Sequence, residues 1–163
     1  MHRRGLSSRG VETSPTLSRA HRRCVDTSRP AALASAIDLA LADAQTTLHR
    51  LTPAEALAAQ RQGALLVDTR TPQQRRRQGE LPGAVVIDRT VLEWRLDPTS
   101  DWHIAEASAD RQVVVVCRQG YSSSLAAASL RRLGVDATDV IGGVEGWLAA
   151  GLPVGSSAAD VRE

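Results

Sequence analysis

The chain has no phenylalanine and no lysine, and only one tyrosine, three tryptophans and two cysteines among its 163 residues. Without phenylalanine, its apolar interior has to be filled by valine, leucine and alanine. Two cysteines in unlike surroundings make no disulfide framework, which fits a reducing, cytoplasmic setting. Together with four scattered histidines they also give no metal-ligand spacing. No apolar run approaches the ~20 residues that span a bilayer, so no membrane association is expected. The N-terminus likewise lacks the apolar stretch of a secretory signal. That all the positive charge is arginine reads as a compositional bias and carries no functional meaning.

The charge is unevenly spread. Residues 1–30 hold seven arginines against Glu12 and Asp26, leaving thirteen arginines against sixteen acids in residues 31–163. The net charge of +2 therefore conceals a basic tail on a mildly acidic domain. The tail is rich in Arg, Ser and Thr, has no periodicity, and reads as disordered. An organelle transit peptide, or a start codon assigned too far upstream, shares that composition. Its arginines are not interleaved with aromatics, so nucleic acid is not an expected partner.

Length predicts one domain with a substantial core. Residues 31–46 are alanine-rich and read as a helix that packs on the domain, with partner binding as its other role. Residues 47–155 form the domain and 156–163 a C-terminal tail. Thr47–Leu51 reads as a short edge strand. Thr52, Pro53 and Glu55 then make a capping box that opens a helix to about Gln62, stopped by Gly63. Leu65–Asp68, Ala84–Asp88, Val113–Cys117 and Thr138–Ile141 read as buried strands, and Pro72–Gln78 as a short polar helix. Strands alternating with helices predict an α/β fold, a parallel sheet covered on both faces with its ligand site at the carboxyl ends of strands.

One such end carries Cys117. Four valines precede it, and the loop Arg118-Gln119-Gly120-Tyr121-Ser122-Ser123 leads into a helix marked by Ala126, Leu130 and Leu133 at i, i+4 and i+7. Arg131, Arg132 and Gly134 mark its C-terminus. A thiol placed there meets unpaired amides and the positive end of a helix dipole. Such surroundings lower a cysteine pKa from about 8.5 to roughly 3.5–7.5. The plainer alternative is a buried structural cysteine, and the loop behind it favours the reactive one. Gly120 lets the backbone approach the sulfur with a positive φ. Arg118 is the nearest permanent positive charge, and the hydroxyls at 122, 123 and 124 add hydrogen bonds or cap the helix.

Cysteinyl-phosphate chemistry would need an arginine six residues after the cysteine, to grip phosphoryl oxygens bidentately. Position 123 is serine and the next arginine is Arg131, which argues against a phosphatase. A persulfide asks less, since amides alone can solvate a Cys–S–S⁻ anion.

The stretch Cys117-Arg118-Gln119-Gly120-Tyr121-Ser122 resembles the active-site loop of single-domain rhodaneses, the thiosulfate sulfurtransferases. Three further segments agree in order and spacing: Leu65-Leu66-Val67-Asp68-Thr69-Arg70, Gly79-Glu80-Leu81-Pro82-Gly83-Ala84, and Gly142-Gly143-Val144-Glu145-Gly146-Trp147. The resemblance runs from about Leu48 to Val154. It implies a rhodanese-like fold, with about five strands in a mostly parallel sheet and helices on both faces. It also implies transfer of a sulfane sulfur through a persulfide on Cys117, held by residues 118–123, with no cofactor and no metal. Asp68 and Arg70 become a structural charge pair. The implied partners are a small sulfur donor and a thiol or cyanide acceptor, with a protein acceptor as a further option. The other reading is a protein-binding, sulfur-relay or redox-sensing module. The chain departs from the family at Glu80, where many members have histidine, and at Gln74 and Arg75, where they have an acidic and an aromatic residue. Ser122 stands where threonine or arginine is frequent. These changes bear on substrate preference.

Other residues carry weaker signals. Arg75, Arg76 and Arg77 read as a solvated helix face, with anion steering as the alternative. Trp94, Arg95, Trp102 and His103 either wall the pocket above Cys117 or fill the core. Gly142, Gly143 and Gly146 follow the last expected strand and so fail the context of a nucleotide loop. Trp147 reads as a core anchor. Cys24 reads as an incidental thiol, its other role being to resolve a persulfide on Cys117. Asp110, Asp136 and Asp139 read as turn residues and show no paired-carboxylate geometry.

Overall fold

The structure, a computed structural model, describes residues 34–162. The expectations for the basic tail, for Cys24 and for a helix start at Ala31 lie outside those residues. Three helix starts share one local code. Ser35, Thr52 and Thr71 take extended backbone and accept from the amides of Asp38, Glu55 and Gln74, whose side chains return to the cap amide. These are capping boxes, each satisfying donors that would otherwise be orphaned. They open α1 (Ala36–Thr46), α2 (Pro53–Arg61) and α3 (Pro72–Gln78), the last two with proline in the first turn.

The strands are β1 (Leu65–Asp68), β2 (Val85–Ile87), β3 (Val113–Val116), β4 (Ala137–Asp139) and β5 (Asp160–Arg162). They form one sheet in the order β4-β3-β1-β2-β5, and every pairing is parallel. The remaining helices are α4 (Leu92–Leu96), α5 (Ser122–Arg132) and α6 (Gly143–Ala149). Strand side chains alternate between faces, so each strand feeds two cores. Leu65, Val67, Val113 and Val115 join Leu92, Leu96, Ala126 and Leu130 on one face. Leu66, Val114 and Val116 join Ala56, Val140, Val144 and Trp147 on the other. Trp147 is fully buried, and its indole N–H donates to the Pro153 carbonyl at 3.0 Å.

Two strand expectations are corrected. Thr47–Leu51 is no strand; Leu51 alone makes a parallel bridge to Val140. Residues 156–163, expected as a tail, instead supply the edge strand β5, paired with β2. The segment Asp-Val-Arg is exposed and offers no alternation to read. Arg162 fastens it, reaching Glu106 at 2.7 Å and Asp160 at 2.6 Å.

Helix α1 packs against α5 through its C-terminal half, where Ala44 is buried and Gln45 Nε2 donates to Ser124 Oγ at 3.2 Å. Trp94 and Trp102 are 58% and 66% exposed, so neither fills the core. Trp94 lies beside Ser129 and Leu133, at the opposite end of α5 from Cys117. No helix among the described residues is long and apolar enough to cross a membrane.

Candidate active site

From β1 the chain steps outward to β2 and β5 on one side, while β3 and β4 extend the sheet on the other. The order therefore reverses between β1 and β3, and the crevice at their carboxyl ends is where open α/β sheets bind ligands. Cys117 follows β3 directly. Asp68 is the register partner of Val116, one residue before it, and Asp139 that of Val115. Three strand ends thus bring Asp68, Cys117 and Asp139 to one edge.

Cys117 is 6% exposed. Its Sγ accepts from the N–H of Gly120 at 3.2 Å and the N–H of Ser123 at 3.4 Å, and lies 3.2 Å from Ser123 Oγ. The Ser123 amide belongs to the first turn of α5, so the sulfur sits on the helix N-terminus, as the strand-loop-helix order predicts. Burial pushes the thiol pKa up. The Ser122 and Ser123 hydroxyls, with the Ser123 and Gln119 amides, outweigh that and bring it below the ordinary thiol value. The thiolate therefore persists to lower pH than in a free cysteine. Alkylation of Cys117 by iodoacetamide is expected to reach half its plateau rate at a lower pH than that of a free cysteine peptide measured beside it. A midpoint at or above that of the peptide would mean that the loop does not activate the sulfur.

The loop is held from behind. The N–H groups of Val144 and Glu145, at the start of α6, donate to the carbonyls of Cys117 (2.9 Å) and Arg118 (3.0 Å). Gly143 lies so close that a Cβ there would collide with the Cys117 carbonyl and stand 2.7 Å from Gly120 N. Gly120 has φ 78° and is equally tight, with 2.8 Å from its own would-be Cβ to the Val140 carbonyl. The glycines after β4 thus serve to let two backbones touch.

Of the six loop residues expected to hold a sulfur anion, four turn hydrogen-bonding groups toward it: Gln119, Gly120, Ser122 and Ser123. Arg118 instead pairs with Glu145 at 2.7 Å, on the solvent side, and Gln119 Nε2 reaches the same carboxylate at 3.2 Å. Tyr121 is exposed. Amide and hydroxyl dipoles, rather than the Arg118 charge, surround the sulfur.

Asp68 and Arg70 form a buried pair, with Arg70 Nη2 2.6 Å from Asp68 Oδ2. The same nitrogen donates to the Gly79 carbonyl at 3.0 Å, tying the end of β1 to the loop after α3. Arg75 departs from the solvated face expected of the 75–77 run: it is buried, donates to the Arg70 carbonyl at 2.7 Å and pairs with Glu80 at 3.2 Å. Two of the departures from the family pattern, Arg75 and Glu80, are therefore partners of each other. Arg70→Met would leave Asp68 buried without a countercharge, and should cost about 3–5 kcal/mol in chemical denaturation. A loss below about 1 kcal/mol would remove the bracing role.

Two residues escape the sequence reading. Asp139 ends β4 fully buried rather than lying in a turn, and Arg50 binds it with both Nε (2.7 Å) and Nη2 (3.1 Å). They are 89 positions apart, and no local pattern joins them. Among the described residues no cluster of His, Cys, Asp and Glu is placed to hold a metal ion.

The family model of the rhodanese-like domain matches residues 52–150. The chain belongs to the rhodanese-like domain family. Within that family it is 39% identical over 103 residues to the thiosulfate sulfurtransferase GlpE of Pseudomonas syringae, covering 63% of this chain and 89% of that one. It is 34% identical over 91 residues to a sulfurtransferase of Allochromatium vinosum, covering 55% and 77%. Among solved structures, a Rhodopseudomonas palustris protein of unknown function, described as a possible tyrosine phosphatase, superposes with a TM-score of 0.67 at 30% identity. That match covers 77% of this chain and 98% of the other. The rhodanese-like domain here has Ser123 where a cysteine-dependent phosphatase needs its arginine, and that serine donates its amide to sulfur.

Proposed function

We propose that this protein is a sulfurtransferase that carries a sulfane sulfur as a persulfide on Cys117. The observation that carries the reading is the convergence of two amides and a hydroxyl on one buried sulfur at the switch point of the sheet. The relatives named as sulfurtransferases support the same chemistry.

In the first half-reaction the Cys117 thiolate attacks the outer sulfur of thiosulfate or of a persulfide donor. The donor S–S bond breaks and its electron pair leaves with sulfite or with the donor thiolate, giving Cys–S–S⁻. In the second, a thiolate or cyanide attacks the terminal sulfur and takes it as a new persulfide or as thiocyanate, while the electron pair of the broken bond returns to Cys117. The loop amides and the α5 dipole favour the anion at each stage. The donors that lower the thiol pKa favour the ionised form that attacks. Gln74, Arg77, Gln78 and Arg118 line a cleft of about 220 Å³ beside the loop. Arg77 makes no ion pair among the described residues, so it offers an anionic donor a place to approach. Because the enzyme alternates between two covalent states, double-reciprocal plots of thiocyanate formation should be parallel as thiosulfate and cyanide are varied. Intersecting lines would point to a ternary complex without a persulfide.

A further inference from the structure

Behind the cysteine loop the Ser123 hydroxyl opens onto a polar network whose other members do not contact the sulfur. Ser123 Oγ, 3.2 Å from Cys117 Sγ, is also 3.1 Å from Asp139 Oδ2. Ser124 Oγ lies 2.8 Å from that same carboxylate oxygen and 3.0 Å from the Gly120 carbonyl, two acceptors for one hydroxyl proton. Asp139, Ser123 and Ser124 are all fully buried. A buried carboxylate one hydroxyl away from a sulfur opposes a negative charge on that sulfur. It also competes for the Ser123 proton, which a thiol leaves to Asp139 and a thiolate or persulfide needs for itself.

Arg50 answers both problems from outside the loop. Its guanidinium grips Asp139 at 2.7 and 3.1 Å, and its Nη2 also donates to the Gly120 carbonyl at 3.0 Å. Gly120 is the residue whose N–H faces Sγ. We propose that Arg50 is a positioning residue for Cys117: it neutralises the buried Asp139 and fixes Gly120, so that the Ser123 hydroxyl can turn to an anionic sulfur. When it turns, Asp139 Oδ2 keeps Ser124 and Arg50 as donors and is not left unsatisfied.

Of the other charges around the loop, four occur as closed pairs, and Arg77 lines the cleft with Arg118. Asp68 is paired with Arg70 at the end of β1, and Arg118 with Glu145 of α6. His49, next to Arg50, is exposed and enters only through its carbonyl, which accepts from Thr138 Oγ1. Gln45, from α1, is uncharged and donates to Ser124. Arg50 is therefore the charge that decides how Asp139 acts on the sulfur.

The inference rests on Cys117 as the reactive residue. Its test reads the thiol without any sulfur donor, so it can fail separately from the transfer reading. The alkylation rate is followed against pH in the full chain, on the peptide that contains Cys117, because Cys24 is also a thiol. Arg50→Gln should raise the midpoint by about one pH unit, and Arg50→Lys should recover part of the shift. Asp139→Asn should lower it, having removed the opposing charge and kept Arg50. The double variant R50Q/D139N should return close to the parent. A merely structural Arg50 would leave the midpoint in place, and would make the double variant at least as impaired as R50Q. Should R50Q not melt cooperatively, D139N decides alone. A lowered midpoint sustains the proposal, and an unchanged or raised one overturns it.

Discussion

Replacing Cys117 by serine is expected to abolish sulfur transfer while leaving the fold in place. Serine is nearly the same size, and the N–H groups of Gly120 and Ser123 that face Sγ can donate to a hydroxyl oxygen equally well. What is lost is the charge: a serine hydroxyl does not ionise near neutral pH, so no nucleophile exists to attack the donor sulfur. No other described cysteine is available to substitute for it. Thiocyanate release should fall by at least about 10³-fold, with a thermal melt that overlays the parent. Activity within tenfold of the parent would move the chemistry away from this residue.

The second large effect is expected from Gly143→Ala, a single methyl group that never touches the sulfur. Gly143 has φ 56°, where an L-residue costs about 1–2 kcal/mol. The added Cβ would also meet backbone, not flexible side chain: the Cys117 carbonyl, Gly120 N and Arg118 C. Backbone cannot swing aside, so the cysteine loop itself has to move, adding about 1–3 kcal/mol of overpacking. The two donors aligned on Sγ move with it. Gly151→Ala is the control, since it shares a positive φ (67°) but nothing lies within 4 Å of its Cβ position. Both variants should melt earlier. G143A alone should raise the Cys117 alkylation midpoint and lose transfer activity by an order of magnitude or more, on the roughly 1.4 kcal/mol per decade scale. Equal activity in the two variants would show that the loop does not depend on its contact with α6.

How far the sequence foretells this molecule depends on how local each signal is. The capping box at Thr52, the polar helix over Pro72–Gln78, the four-valine strand and the loop after Cys117 are contiguous, and the structure has them where the residues put them. Trp147, expected as a core anchor, is fully buried. The edge strand β5 was illegible, because Asp-Val-Arg has no alternation to read and Glu106, which Arg162 reaches, lies 56 positions away. The Arg75–Glu80 pair was half legible: both residues stood out as departures, but only the turn after α3 brings them together. Arg50 and Asp139 were illegible, being brought together by the parallel pairing of β3 with β4 and by the bridge from Leu51 to Val140. Arg118 had the right address and the wrong direction, since Glu145 arrives from α6 and takes its charge outward. Trp94 and Trp102 fill no core, because valine, leucine and alanine already do so on both faces of the sheet.

The central claim is that Cys117 holds a transferable sulfur. Its most direct test is the intact mass of the purified protein after incubation with thiosulfate, taken beside Cys117→Ser. The account predicts a gain of one sulfur atom, reversed by cyanide and absent from the variant. A folded protein with a free Cys117 thiol and no adduct, or one that gains oxygen in place of sulfur, would contradict it.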